Sequence, residues 1–258
     1  SFKWVKGSDT IPGATDSCLS FSAASAADSG TYLAIVTNAV GTISVPVKLV
    51  VNTPPGFTVQ PQSAEVTKGS LISLSAAASG FPEPTYEWLK DGVPIGLSGP
   101  TLDVSAASAT DSGVYRVIAT NAAGADTSDA AVIRVVWKPS FVVKPQSVDA
   151  KKDDPVALTA QIDAYPAATY TWYKDGVVIQ SASGTSYSIA AMDSAAAGVY
   201  RIVAVNSVGS DSATVRVRLR SAPRFLAELS DTTVAQGALV ELRAPAQGVP
   251  EPTYQWYH

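Results

Sequence analysis

Phe81-Pro82-Glu83-Pro84-Thr85-Tyr86-Glu87-Trp88 recurs as Tyr165-Pro166-Ala167-Ala168-Thr169-Tyr170-Thr171-Trp172 and again as Val249-Pro250-Glu251-Pro252-Thr253-Tyr254-Gln255-Trp256. Trp4, Trp88, Trp172 and Trp256 stand 84 residues apart, so the 258-residue chain holds three periods and six residues more. Self-similarity at a fixed period marks a repeated structural unit and is read before any local structure. Each period is long enough for one small domain. Lys90-Asp91-Gly92 and Lys174-Asp175-Gly176 follow two of the Trp, and in the first copy the turn reads as shortened to Lys6-Gly7. Asp-Gly between alternating runs signals a two-residue hairpin, because both central residues of a type I′ turn need positive φ.

A second block recurs as Asp28-Ser29-Gly30-Thr31-Tyr32, Asp111-Ser112-Gly113-Val114-Tyr115 and Ala196-Ala197-Gly198-Val199-Tyr200. Each leads through an alternating run to a tight turn: Asn38 to Gly41, Asn121 to Gly124, Asn206 to Gly209. Apolar residues at every second position, as in Ile72, Leu74 and Ala76 or in Tyr115, Val117 and Ala119, give the pattern of a half-buried strand. Short strands punctuated by Gly, Pro and Asn predict an antiparallel two-sheet sandwich, an all-β fold. The Ala/Ser stretches at 23–27 and 106–109 are too short for stable helices and predict single 3₁₀-like turns.

Composition removes most chemistries. Lys+Arg 18 against Asp+Glu 22 gives a net charge of -4, so no cationic surplus exists to bind a nucleic-acid backbone. One Cys, one His and one Met leave little for thiol, imidazole or soft-metal chemistry, and one Cys cannot form an internal disulfide. The expectation is no catalytic residue, no cofactor, no metal and no enzyme activity. No run of about 18 apolar residues is present, so no membrane span is expected in this segment.

These residues resemble immunoglobulin-like domains of the intermediate type, in tandem copies, similar to bacterial surface immunoglobulin-repeat proteins or titin-like arrays. In that family a Trp on strand C packs against a disulfide joining strands B and F, and a Tyr two residues before the second Cys forms the tyrosine corner. The resemblance gives the Trp role to Trp4, Trp88, Trp172 and Trp256 and the corner role to Tyr32, Tyr115 and Tyr200. The disulfide positions then fall on Ala76 with Val117 and on Ala160 with Ile202, so the bridge is absent. Closing a loop of about 42 residues would stabilise by on the order of 4 kcal/mol. Apolar contact beneath the Trp is expected to offset part of that loss. Two departures stand out: Ala196 replaces the corner Asp, with Asp193 nearby as a substitute, and Asp153-Asp154-Pro155 replaces the glycine turn before strand B, where a different turn shape is expected.

The resemblance implies a partial domain over 1–53 (strands C to G), domains over 54–137 and 138–221, and a partial domain over 222–258 (strands A to C). Without strands A and B, the first portion would leave Trp4, Leu19, Phe21, Tyr32, Ala34 and Val36 facing water. Three completions are open: a longer continuous array, residues 222–258 of another copy, or a truncated chain. Pro-containing joints at 53–55, 137–139 and 221–223 act as semi-rigid spacers, so the expected shape is a rod.

Single residues were weighed for chemistry. His258 ends a strand. Cys18 precedes Leu19 on an expected strand and should point outward as a passive surface residue. Trp137 lies outside the series, without a counterpart at Asn52 or Ser221, and is a possible interdomain contact. Asp126, Asp129, Asp153 and Asp154 read as solvated turn residues rather than a calcium cluster. Arg216, Arg218 and Arg220 alternate on one strand face and read as pairing with acidic neighbours or guarding a strand edge, rather than as a polyanion site. The function expected is a structural segment of an extracellular fibre or long cell-surface stalk, a stiff spacer whose partners are other copies in a filament or long array. The alternative is an adhesion or binding module for a protein or glycan ligand; a titin-like cytoplasmic array is the alternative location.

Overall fold

The computed structural model describes residues 1–228 and 230–257. Two compact units emerge, Ser1–Val135 and Val136–His258. The first opens with β1 (Phe2–Lys6), β2 (Asp9–Thr10), β3 (Gly30–Thr37) and β4 (Thr42–Leu49). It continues with β5 (Thr53–Val59), β6 (Ala64–Thr67), β7 (Ile72–Ser75), β8 (Ala77–Phe81), β9 (Thr85–Lys90), β10 (Val93–Pro94), β11 (Thr101–Val104), β12 (Gly113–Asn121), β13 (Gly124–Thr127) and β14 (Ala131–Val143). The second holds the later part of β14, then β15 (Val148–Ala150), β16 (Val156–Thr159), β17 (Gln161–Tyr165), β18 (Thr169–Lys174), β19 (Val177–Val178), β20 (Ser186–Ile189), β21 (Gly198–Val205), β22 (Ser210–Leu219), β23 (Ser221–Phe225) and β24 (Ala246–Val249).

Each complete repeat is a two-layer sandwich. In the second repeat one layer runs β10-β9-β12-β14 with β6 against β14, and the other joins β11 to β7 and β5 to β8. The third repeat copies it: β19-β18-β21-β22-β15 faces β16-β20, and β14 pairs with β17. The β15–β22 pair is parallel; the β18–β21 and β21–β22 pairs are antiparallel.

Alternation places one face of the principal strands of the two complete repeats in the core. Ile72, Leu74, Ala76, Trp88, Leu102, Tyr115, Val117 and Ile133 form one buried cluster, and Val156, Leu158, Ala160, Trp172, Ile189, Met192, Tyr200 and Ile202 form the other. Trp88 and Trp172 are completely buried. Val117 sits opposite Trp88 across the β9–β12 pair, and Ile202 opposite Trp172 across β18–β21. Ala76 and Ala160 are buried in the same clusters.

The first portion, residues 1–53, keeps one sheet, β2-β1-β3-β4. Cys18 to Phe21, expected as a strand, is not one. Its counterparts β11 and β20 are held by β7 and β16, and residues 1–53 hold no such strand to pair with it. The inner face of β4 is correspondingly open: Val45 and Val47 are 56% and 47% exposed, whereas Ala213 and Val215 at equivalent register are 4% and 3%. Tyr32 departs from the expected exposure. It is 3% exposed, because the Phe21 ring covers it edge-on at 5.6 Å and its hydroxyl is tied to the backbone. Trp4 is half-buried, while Trp256 is 57% exposed.

Two turns correct the sequence reading. The first hairpin is not shortened: Lys6 pairs with Asp9 as Lys90 pairs with Val93, leaving the two-residue loop Gly7-Ser8. Gly7 has φ 60°, and a glycine first is what the type II′ alternative requires. The turn before β16 does not differ in kind, because Asp153 takes φ 69° where Gly69 takes 87°. Asp tolerates that left-handed conformation better than most residues, and the neighbouring Asp154 carboxylate accepts the Lys151 N–H at 3.0 Å.

Truncating Trp172 to Ala should cost about 3–5 kcal/mol, the range for a large buried aromatic. Urea denaturation of the variant is expected to show that loss in the unfolding transition of the second unit; a loss below about 1 kcal/mol would mean that the indole does not anchor the core.

Candidate functional site

The repeated motifs converge on four fixed contacts. First, the indole N–H of Trp4, Trp88 and Trp172 donates to the carbonyl of Asp16, Gly99 and Gly184, at 3.0, 3.0 and 2.9 Å. A buried Trp needs a partner for its one donor, and here that partner ties the long connection onto the core. Second, the hydroxyls of Tyr32, Tyr115 and Tyr200 donate to the carbonyls of Asp28, Asp111 and Ala196 at 2.7, 2.8 and 2.8 Å, forming three tyrosine corners. Burial raises the Tyr115 phenol above its ordinary pKa and pushes Tyr200 up to about 12.

The corner turn explains the Asp in the motif. Asp28 and Asp111 accept from the backbone and hydroxyl of Ser25 and Ser108 in short 3₁₀ turns, Ala26–Asp28 and Ala109–Asp111. These hydrogen bonds hold both carboxyls below the usual carboxylate range. Asp193 does not take over the corner position in the third repeat. Its carboxylate accepts the Ala196 N–H at 2.7 Å, capping the turn from its start, and the tyrosine corner survives because it uses only the backbone carbonyl of Ala196.

Third, the hairpin Asp does more than turn the chain. Asp91 and Asp175, at φ 51° and 49°, accept the N–H of Val114 and Val199 at 2.8 Å each and pair with Lys90 and Lys174. The glycine of the second block makes room for this contact: a Cβ on Gly113 or Gly198 would lie 2.7 or 2.5 Å from that carboxylate and displace it. The coupling between the two blocks was not read from the sequence, although their fixed offset carried the signal. Fourth, the side-chain amides of Asn121 and Asn206 donate to two carbonyls apiece, of Thr53 and Pro82 and of Trp137 and Pro166, all within 2.9 Å. Trp137 thus has a counterpart after all, Thr53 rather than Asn52. Its ring packs on Tyr165 at 5.6 Å.

The residues weighed for chemistry stay apart. Among the described residues no group of three or more His, Cys, Asp or Glu is placed to hold a metal ion. Cys18 is exposed, Asp126 accepts the Phe57 and Thr127 N–H groups, and His258 lies outside the described residues. No helix is long and apolar enough to cross a membrane. What remains is a surface. On the outer face of the β19-β18-β21-β22 sheet, Arg201 lies over the Tyr173 ring at 5.0 Å, and Arg216 is exposed opposite Val199. Tyr173, Gly176, Val199, Arg201 and Thr214 line a shallow hollow of about 300 Å³. Arg218 grips Asp149 of β15 through two bonds of 2.8 and 3.0 Å, and Arg220 reaches the Asp149 carbonyl, so part of the arginine row does pair across the sheet edge.

This is a tandem array of all-β sandwiches built on a tryptophan, a tyrosine corner and two clamped turns. The sequence profile described as "Immunoglobulin domain" matches residues 54–121 and 138–206, and the chain belongs to that family. It is 32% identical to mouse hemicentin-2 over 89% of its own length and 5% of hemicentin-2. It is 27% identical to the muscle M-line assembly protein unc-89 of Caenorhabditis elegans over 79% of its length and 3% of that protein. The I67-I69 I-band fragment of titin superposes with a TM-score of 0.71 at 26% identity, covering 86% of this chain and 88% of the fragment. The chain therefore spans a small part of the curated relatives it matches, and its fold is that of tandem immunoglobulin domains.

Two measurements test the core assignments. Ala76 and Val117 are buried in one cluster, and the double change Ala76→Cys, Val117→Cys should oxidise to a disulfide, whose geometry requires Cα atoms within about 7 Å, and raise the Tm; an unchanged Tm in fully oxidised protein would break the assigned register. Because the Tyr200 pKa is raised on folding, its contribution is complete below about pH 10 and is lost as pH rises through about 12. Alkaline titration should show stability falling across that window, and Tyr200→Phe should flatten the fall while costing about 1 kcal/mol for the lost corner bond.

Proposed function

We propose that this segment is a structural immunoglobulin-repeat element of an extracellular fibre or long cell-surface stalk, acting as a stiff spacer. The observation that carries this reading is the asparagine clamp. Thr53 and Trp137 stand where one repeat gives way to the next, and their carbonyls are held by Asn121 and Asn206 of the repeat that follows. Each joint residue is thereby fixed to the domain that follows it, and Pro54, next to Thr53, and Pro139, two residues past Trp137, fix φ there. The relatives support a mechanical reading too, since one is by name an assembly protein of the muscle M-line and another a titin fragment. The same names support a cytoplasmic array as the alternative location.

A second reading, an adhesion or ligand-binding module for a protein or glycan, is favoured by one observation. The arginine and tyrosine face of the third repeat is not copied in the second, where Leu89 stands for Tyr173 and Val132 for Arg216. Small-angle scattering tests the spacer. A globular chain of 258 residues has a radius of gyration of roughly 18 Å; the spacer reading expects a value well above it with the distance distribution of an elongated particle. A value near 18 Å would overturn the reading.

A further inference from the structure

Charge is distributed by repeat. Residues 54–137 carry four Lys and Arg against eight Asp and Glu, a net -4, whereas residues 138–221 carry nine against seven, a net +2. The cations of the third repeat are also gathered on one face. Arg201 and Arg216 are exposed on the outer side of β21 and β22, and among the described residues no acidic side chain forms an ion pair with either. The two carboxylates nearest in the sheet are already committed, Asp149 to Arg218 and Asp175 to Lys174 and the Val199 N–H. On the same face lie apolar surfaces, Val178 at 40% exposure opposite Tyr173, with Val199 in the hollow.

The second repeat offers the complement. Glu65, Glu83 and Glu87, carried on or next to strands of the β10-β9-β12-β14 layer, are all exposed, and none belongs to an ion pair among the described residues. Its own Arg116, which occupies the Arg201 position, is turned aside to the Ser128 carbonyl at 2.9 Å.

We propose that the outer β19-β18-β21-β22 face of residues 138–221 docks the acidic repeat, residues 54–137, of a second copy of this chain. Opposite potentials steer such surfaces together and fix which repeat meets which, since like repeats placed face to face would repel. A sulfated polysaccharide fits less well. It would draw on a continuous row of guanidiniums, and that row is interrupted where Arg218 and Arg220 are spent on Asp149. The inference rests on the array reading for the presence of neighbouring copies, and not on the stiffness of the joints.

Sedimentation equilibrium of the full chain tests it. Reversible self-association is expected at low ionic strength and its loss near 1 M NaCl, where the Debye length falls to about 3 Å. Arg201→Glu with Arg216→Glu should weaken self-association by roughly tenfold or more, as should Glu83→Lys with Glu87→Lys. An equimolar mixture of the two reversed chains should associate again, which a merely misfolded variant could not do; far-ultraviolet circular dichroism checks the fold of each. A chain that stays monomeric at every salt concentration overturns the proposal. So does association that persists at high salt or ignores the reversals, which would point to the open apolar face of residues 1–53. Retention on dextran sulfate lost with the Arg variants, without self-association, would overturn it in favour of a polyanion. In each of these cases an elongated scattering profile would leave the spacer reading standing.

Discussion

Everything in these domains hangs on the tryptophan of the β9 or β18 strand. Its ring fills the space between the sheets, with Val117 or Ile202 opposite on the neighbouring strand, and its single N–H reaches outward to Gly99 or Gly184. One side chain therefore does two tasks, closing the apolar core and fastening the connection from β10 to β11 or from β19 to β20. In the resemblance a disulfide would stand beside that ring, at a value on the order of 4 kcal/mol in the chain-entropy model. Here the positions hold Ala76 and Val117, and Ala160 and Ile202, all buried. Their transfer from water contributes at about 25 cal/mol per Å² of apolar area. The cross-link is replaced by ordinary packing and by a set of hydrogen bonds that recur from repeat to repeat.

Those hydrogen bonds divide the labour along the chain. The tyrosine corner fixes the entry to β12 and β21, the hairpin Asp locks that entry to the preceding turn, and the asparagine amide locks the exit to the start of the domain. Asp91 and Asp175 hold carboxyls kept below the ordinary carboxylate range by these contacts. Such groups stabilise above the unfolded carboxylate pKa and lose that contribution as pH falls through the folded value. The same carboxylates occupy the room that glycine leaves at 113 and 198, where a Cβ would displace them. A motif that looks in sequence like two independent blocks is one interlocked unit in space.

Most of this unit was legible because its parts obey short-range rules. Period-2 alternation marked the strands, Asp-Gly marked the type I′ turns with φ 51° and 81° at Asp91 and Gly92, and the Trp spacing marked the repeat. Each misreading has its own physical origin. Cys18 to Phe21 has strand-like alternation, yet a strand exists only where its ladder is filled, and nothing in residues 1–53 fills it. Tyr32 looked exposed when judged by missing strands, but its hydroxyl bond and the Phe21 ring are both local and suffice to bury it. Asp153 read as a break in the glycine pattern, whereas the backbone needed only a residue tolerant of positive φ.

The surface was the least legible part, and the reason decides where function can be sought. Core positions are constrained by the sandwich itself and therefore repeat, so they carry fold and little else. Outer positions of β18, β21 and β22 are free of that constraint, and there the repeats diverge: Tyr173, Arg201 and Arg216 face solvent where Leu89, a turned-away Arg116 and Val132 stand in the preceding repeat. Alternation alone cannot reveal that Arg218 is spent on Asp149 while Arg216 is not, because the distinction depends on where β15 lies beside β22. In an array of near-identical cores, one repeat is told from another only by such outward residues. Any selectivity in how copies or partners meet this chain must be written there, and the opposite charges of successive repeats are the part of that record with the longest physical reach.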